Sequence, residues 1–154
     1  MWNPINKLTV YDYLIVFLLI LFVVNSTTQN LWSGSVVYVL TSVAIAVVLD
    51  LFLSWAKSRL KKPKKDGFVQ PFKLRLPKSA VISGLIIGLL IEPSKLAWPD
   101  MAPVVLAPLL AILLKHIIRV KGDHIFNPAN MGLLITILVL TPASLTWWGA
   151  SPSW

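Results

Sequence analysis

Five apolar segments, separated by polar or charged stretches, follow one another along the chain. Leu, Ile, Val and Phe dominate them, and the first two are long enough, with their flanks, to cross the roughly 30 Å hydrocarbon core of a bilayer. The pattern predicts an all-α membrane protein with about five transmembrane or partly spanning helices, in a single integral membrane domain over residues 1–154. The predicted segments are Val10–Val24, Leu31–Leu53, Ser79–Ile91, Met101–Leu114 and Pro128–Leu140.

The third and fifth segments are short, and as helices each would reach only about 20 Å. Ser79 is predicted to cap the third segment, and Asn127 with Pro128 to open the fifth. Short segments of this kind are typical of half-helices that meet at a binding site, but they are equally compatible with ordinary spans lengthened by their flanks. Gly84 and Gly88 have the spacing that permits close approach of another membrane helix.

Composition agrees with a membrane location, since 56% of the residues are apolar, 13% are charged and the mean hydropathy is +0.77. A net charge of +8 is compatible with nucleic-acid binding. In a chain this apolar, however, the charge is better assigned to cytoplasmic loops, so we expect contact with the lipid bilayer and not with nucleic acid. The sequence has no cysteine and only two histidines, which excludes thiolate chemistry and argues against a multi-histidine metal site.

The positions of the cations predict the orientation of the segments. Nine of the 14 Lys and Arg residues lie in one basic loop, at about residues 56–78. With the N-terminus in the cytoplasm and five alternating segments, 13 of the 14 cations lie on the cytoplasmic side and only Lys95 lies outside. Because cytoplasmic loops are enriched in Lys and Arg, we predict a prokaryotic-type plasma membrane protein with a cytoplasmic N-terminus and an external C-terminus.

The stretch from His124 to Gly132 is the strongest candidate for a binding site. Asn127 is a good N-cap and Pro128 suits the first helical position, so a helix start with its positive dipole end is expected there. Lys115 and His124 would lie around it, which suits an anion such as a phosphate. Gly132 would let another helix or a planar ring approach closely. The alternative is a well-capped helix start at the membrane surface, with no ligand.

Two acidic residues are further candidates because they lie near the hydrocarbon. Asp50 and Glu92 would suit a role in binding a coupling ion or a proton, since intramembrane acids are usually functional. Both also lie close to segment ends, where a carboxylate can reach water without any such role. No Ser–His–acid or paired-carboxylate arrangement is visible, so no hydrolytic active site is expected.

A series of residues in the second half of the chain resembles a known family. The resemblance covers roughly residues 79–154 and is to the membrane subunits of redox-driven ion pumps, namely the B subunit of sodium-translocating NADH:quinone reductase and the D subunit of the Rnf electron-transport complex. Residues 1–78 match only in having two spans and a basic loop. The matching residues are Ser83-Gly84, Gly88, Pro93, Trp98, Lys115, Gly122, Phe126-Asn127-Pro128-Ala129 and Gly132.

The resemblance implies a fold of two inverted five-helix repeats, similar to urea and ammonium channels, of which this half-length relative would supply one. It also implies a flavin. The larger members attach FMN to a Thr in a Ser/Thr-Gly-Ala-Thr motif, which this chain lacks, so the expected cofactor is non-covalent FMN or riboflavin. The residues implied in binding it are Lys115, His124, Asn127, Pro128, Gly132 and Gly84.

The function implied is that of a flavin-associated membrane component of a redox-driven, ion-translocating complex. Its partners would be other subunits of that complex or a second half-length chain, in a homo- or hetero-oligomer. Two alternatives stay open at this point. One is a small transporter or channel-like protein without a redox role, and the other is a structural subunit of a redox complex.

Overall fold

A computed structural model describes residues 9–28, 32–60, 76–91, 101–118 and 127–140. These residues form five α-helices, and no β-strand is present among them, which confirms the predicted all-α class. The helices, numbered in chain order, are α1 (Val10–Thr28), α2 (Trp32–Leu60), α3 (Lys78–Leu90), α4 (Ala102–Ile117) and α5 (Pro128–Val139).

Two of the five helices are long and apolar enough to cross a membrane. They are α1 and the Gly34–Leu60 part of α2, whereas α3, α4 and α5 have 13, 16 and 12 residues. The shorter three reach roughly 18 to 24 Å at the α-helical rise. The segments that flank them lie outside the described residues, so both the half-helix and the lengthened-span interpretations of α3 and α5 stay open.

The outer surface of the bundle is apolar, as expected for a protein surrounded by lipid. Large apolar side chains on α1, α2 and α5 are exposed, such as Ile20 at 55%, Leu40 at 62% and Leu138 at 69% exposure. Contiguous exposed apolar surface marks contact with a membrane or a partner in proteins generally. Together with the two long apolar helices, this surface identifies a membrane protein.

Helix α3 lies at the centre of the bundle and contacts each of the other four helices. Its two glycines face α2 at very short range: a Cβ atom at Gly84 would lie 2.6 Å from Cα of Val43, and one at Gly88 would lie 2.8 Å from Cα of Val39. Ser42 Oγ donates a hydrogen bond to the carbonyl oxygen of Gly84 at 2.9 Å. The predicted close helix approach at the two glycines is therefore made by α2.

Helices α4 and α5 pack against each other in the same manner. A Cβ atom at Gly132 would lie 2.8 Å from the backbone nitrogen of Ala111 and would also meet the carbonyl oxygen of Ala107. Of the two groups proposed to approach Gly132, another helix or a planar ring, the structure shows a helix. This contact packs the first half of α5 against the middle of α4.

Polar contacts gather several helix ends at one side of the bundle. Lys78 at the start of α3 pairs with Asp12 in the first turn of α1, with Nζ to Oδ1 at 2.6 Å. Lys57 near the end of α2 donates to the carbonyl oxygen of His116 at the end of α4, at 3.1 Å. Lys115 in the last turn of α4 also donates to Ser79 in the first turn of α3, so α1 to α4 alternate in direction.

Three predicted boundaries are wrong in detail, two of them on the first two helices. Helix α1 continues past the predicted end at Val24 to Thr28, and the hydroxyls of Thr27 and Thr28 donate to carbonyls one turn earlier. The predicted basic loop begins too early, since α2 continues to Leu60. Cations in the last turn of a helix interact favourably with its dipole, so the first basic residues of that stretch are helical.

The third wrong boundary is the predicted cap of α3. Helix α3 begins at Lys78 with Pro77 in the N-cap position and no side-chain cap bond. Ser79 lies inside the first turn, and its hydroxyl accepts a hydrogen bond from Lys115 instead.

The glycine contacts predict the effect of adding a single methyl group. We expect Gly84→Ala and Gly88→Ala each to destabilise the chain by about 1–3 kcal/mol, because backbone and not a flexible side chain must move. Ala44→Val, on an exposed position of α2, is the control and should change little. Thermal unfolding of the purified chain in mild detergent measures all three, and equal midpoints for Gly84→Ala and Ala44→Val would contradict the close packing.

Candidate functional site

A buried cluster of charged groups lies where α2, α3 and α4 meet, at the end of the bundle that holds the basic helix ends. Asp50 Oδ1 accepts hydrogen bonds from Lys115 Nζ at 2.7 Å and from His116 Nε2 at 3.0 Å. Lys115 Nζ also donates to Ser79 Oγ at 2.7 Å. On the outer side, Lys57 Nζ lies 2.9 Å from His116 Nδ1. The cluster therefore runs from a buried ion pair to an exposed lysine.

Each side chain reaches the cluster for a local reason. Asp50 lies well before the end of α2, inside the apolar part of that helix, and is 6% exposed. Lys115 and His116 occupy the last turn of α4, where the helix dipole favours a cation. Ser79 lies in the first turn of α3, so its hydroxyl faces Lys115 from the third helix.

The energetics of the cluster are those of a paired buried charge. The Asp50 and Lys115 side chains are each 8% exposed. Moving one ion from water into a low-dielectric interior costs roughly several kcal/mol. The attraction of its partner offsets this cost only when the geometry is good and further hydrogen bonds are made. Here Ser79 and His116 supply the added hydrogen bonds. The arrangement holds a carboxylate and an ammonium ion as a buried pair, with an imidazole nitrogen hydrogen-bonded to the same carboxylate.

The helix start predicted at Asn127 and Pro128 is confirmed. Asn127 is the N-cap of α5, its side-chain Oδ1 accepts from the backbone nitrogen of Ala129 at 3.1 Å, and Pro128 is the first helical residue. The side chain of Asn127 therefore satisfies one of the free N–H groups of the first turn.

The other predicted ligand residues have different surroundings. Lys115 is paired with Asp50 and bonded to Ser79, so an anion at the start of α5 would have to compete with a buried carboxylate for that ammonium group. The space beside Gly84 is occupied by α2, and the space beside Gly132 is occupied by α4. Neither glycine therefore leaves a free face for a planar ring in this arrangement. His124 and Glu92 lie outside the described residues.

Sequence reasoning identified Asp50 and Lys115 separately and missed that they are partners. Their separation of 65 residues along the chain gives no local signal of the contact. The role of Lys57 was also missed, because it was assigned to a basic loop. Among the described residues, no group of three or more His, Cys, Asp or Glu side chains could hold a metal ion.

Comparison with known proteins confirms the predicted resemblance. All three relatives described here are D subunits of ion-translocating oxidoreductase complexes. The chain is 28% identical over 111 residues to the one from Actinobacillus succinogenes, which covers 71% of this chain and 28% of the relative. It is 30% identical over 110 residues to the one from Mannheimia succiniciproducens, again covering 71% and 28%. The one from Aliivibrio salmonicida is 28% identical over 116 residues, covering 75% and 29%.

The matches cover only part of the relatives, and they extend the resemblance beyond the residues predicted from the sequence. The matched region spans under a third of the length of the curated relatives. A match of 110 residues or more is longer than residues 79–154, so the similarity must include part of the first 78 residues, contrary to the shorter resemblance predicted. No protein-family model and no solved structure matches the chain.

The buried pair predicts a contrast between single and double substitutions. Lys115→Met should destabilise the chain by about 3–5 kcal/mol, because it leaves the Asp50 charge buried without its ammonium partner. The double variant Asp50→Asn with Lys115→Met should recover most of that loss, since no unpaired charge is left. Denaturant or thermal unfolding in mild detergent measures both.

The control for this experiment is the more exposed ion pair on the same side of the bundle. Lys78→Met removes the partner of Asp12, whose side chain is 23% exposed, and exposed pairs contribute little to stability. A loss of stability for Lys78→Met as large as that for Lys115→Met would contradict the buried-pair account.

Proposed function

We propose that this chain is a membrane component of an ion-translocating oxidoreductase complex. The observation that carries the proposal is the similarity, over 71–75% of the chain, to three proteins named as the D subunit of such complexes. The structure supports it in two ways. The chain has long apolar helices, and it buries a carboxylate and an ammonium ion among them. Charged groups inside membrane segments usually belong to ion or proton pathways.

A flavin is the finer part of this proposal. The capped start of α5 offers a helix N-terminus of the kind that binds a phosphate. We propose that FMN or riboflavin binds there non-covalently, with Asn127 and Pro128 shaping the helix start and His124 and Lys115 nearby. Since Gly84 and Gly132 are occupied by helix packing, we leave them out of the proposed contacts.

A second candidate function is transport without redox chemistry. The buried Asp50–Lys115 pair favours it as well, because transporters also hold ion pairs in their membrane segments. In either case we propose partners: other subunits of a membrane complex, or a second copy or half-length chain covering the exposed apolar faces. Lys64 and the other loop cations are proposed to lie in the cytoplasm.

Purification from native membranes separates the two candidate functions. In mild detergent, the tagged chain should copurify with other membrane subunits and show the absorbance bands of a flavin, or gain them when FMN or riboflavin is added. Chemical cross-linking before extraction gives the mass of the assembly. A solitary chain without flavin absorbance, before or after addition, would rule out the redox proposal in favour of the transporter.

The absence of cysteine makes the proposed orientation directly testable. Lys64→Cys should react with a membrane-impermeant thiol reagent only from the cytoplasmic side, and Ala150→Cys only from the outside. The physical reason is that 13 of the 14 cations then lie in the cytoplasm. The unsubstituted chain, which has no thiol, is the control. Labelling of both positions from the same side would contradict the five-segment topology.

A further inference from the structure

A continuous chain of hydrogen bonds connects the buried ion pair to the surface. Lys57 Nζ lies 2.9 Å from His116 Nδ1, and His116 Nε2 lies 3.0 Å from Asp50 Oδ1. Both distances are within the ordinary range of hydrogen bonds. Lys57 is held at the ring by a second bond, to the carbonyl oxygen of His116 at 3.1 Å. The imidazole thus bridges a carboxylate and an ammonium group with its two nitrogens.

The two partners of the ring determine its tautomer. An ammonium group has N–H donors and no acceptor, so Nδ1 of His116 must accept the hydrogen bond from Lys57. In the neutral ring the hydrogen then lies on Nε2, which donates to Asp50. A ring in this state can take up a proton at Nδ1 and give one up at Nε2.

Exposure falls sharply between Lys57 and the ring. Lys57 is exposed, whereas the side chains of His116, Asp50 and Lys115 are each 8% exposed. His116 therefore lies between the exposed Lys57 and the buried carboxylate. The charged groups that face the ring are Asp50 and Lys57 from α2 and Lys115 from its own helix.

We propose that His116 is a proton-exchanging group that connects water at Lys57 with the buried Asp50–Lys115 pair. In the step, Nδ1 of His116 takes up a proton from a hydronium ion beside Lys57, which becomes water, and the proton on Nε2 of the resulting imidazolium passes to Asp50 Oδ1. No electrons are transferred, and the net result is one proton moved from water to the carboxylate. The ring is then neutral with its hydrogen on Nδ1, and the reverse step, in which Asp50 gives the proton back, restores the hydrogen to Nε2.

Protonation of Asp50 would have a structural consequence. The ammonium group of Lys115 would lose its counter-charge while keeping its hydrogen bond to Ser79 on α3. The buried ion pair would thereby become an ammonium group beside a neutral carboxyl group, which changes the charge inside the bundle by one unit. That this proton is coupled to ion movement rests on the proposed function. The proposal that His116 exchanges a proton with Asp50 does not rest on it.

The competing account is that His116 only braces the ion pair, as a neutral hydrogen-bond donor. The two accounts differ in whether the ring titrates and in which neighbours control it. The sequence has only two histidines, so a His124→Gln background leaves His116 as the single histidine. Nuclear magnetic resonance of isotope-labelled histidine in the detergent-solubilised full chain then reports the protonation state of each ring nitrogen.

The expected result is a single protonation step of the His116 ring, with the hydrogen on Nε2 at high pH. Asp50→Asn should lower the midpoint of this titration by about 1–3 pH units, because it removes the negative charge beside the ring and leaves both lysines. Lys57→Gln should raise the midpoint, because it removes the cation that contacts Nδ1.

Arg59→Gln is the matched control for Lys57→Gln. It removes the same charge from the same exposed helix end, but its guanidinium lies over the Trp55 ring, 5.6 Å from the centroid. The titration midpoint of His116 in Arg59→Gln should equal the midpoint in the His124→Gln background alone. Should Asp50→Asn fail to fold, the comparison of the two exposed variants decides the question by itself.

Two results would overturn the inference. One is a ring that keeps a single protonation state across the whole pH range. The other is an equal shift of the midpoint in Lys57→Gln and Arg59→Gln, which would show that the Lys57 contact does not control the ring. A chain that titrates as expected but purifies alone and without flavin would retain the proton site and lose the redox proposal.

Discussion

The need to keep the Asp50 carboxylate paired is the constraint on which the junction of α2, α3 and α4 depends. An unpaired charge buried in the protein would cost roughly several kcal/mol. The ammonium partner of Asp50 is Lys115, which lies 65 residues later in the chain. Ser79 and His116 complete the hydrogen bonds of the pair. The junction therefore positions three helices at once, because a shift of any one of them would leave a buried charge or donor without a partner.

Away from this cluster, the bundle is held by close packing of small residues. In lipid, the hydrophobic effect gives little drive for one apolar helix to bind another, so association depends on van der Waals contact and interhelical hydrogen bonds. Gly84 and Gly88 let α3 lie against the backbone of α2, and Gly132 does the same between α5 and α4. The buried hydrogen bond from Ser42 to Gly84 adds a polar contact at the closest point.

These two kinds of contact explain how much of the site could be predicted. The cap at Asn127 and the helix start at Pro128 follow from local chemistry, since the side chain bonds a backbone group two residues away. The spacing of Gly84 and Gly88 indicated a close approach but not its partner. The proposed ligand role of Lys115 was inferred without knowledge of Asp50, because a contact between distant segments has no signature in either segment alone.

The sequence by itself determined the five apolar helices, the membrane class and the resemblance to the membrane subunits of ion-translocating redox complexes. Each of these depends on local composition, on short motifs or on the distribution of charge along the chain. The tertiary structure alone decided that Lys57 continues α2 and reaches His116, and that Lys115 pairs with Asp50. The physical reason is that the pairing of buried charges depends on which helix ends meet, and that depends on the packing of all the helices together.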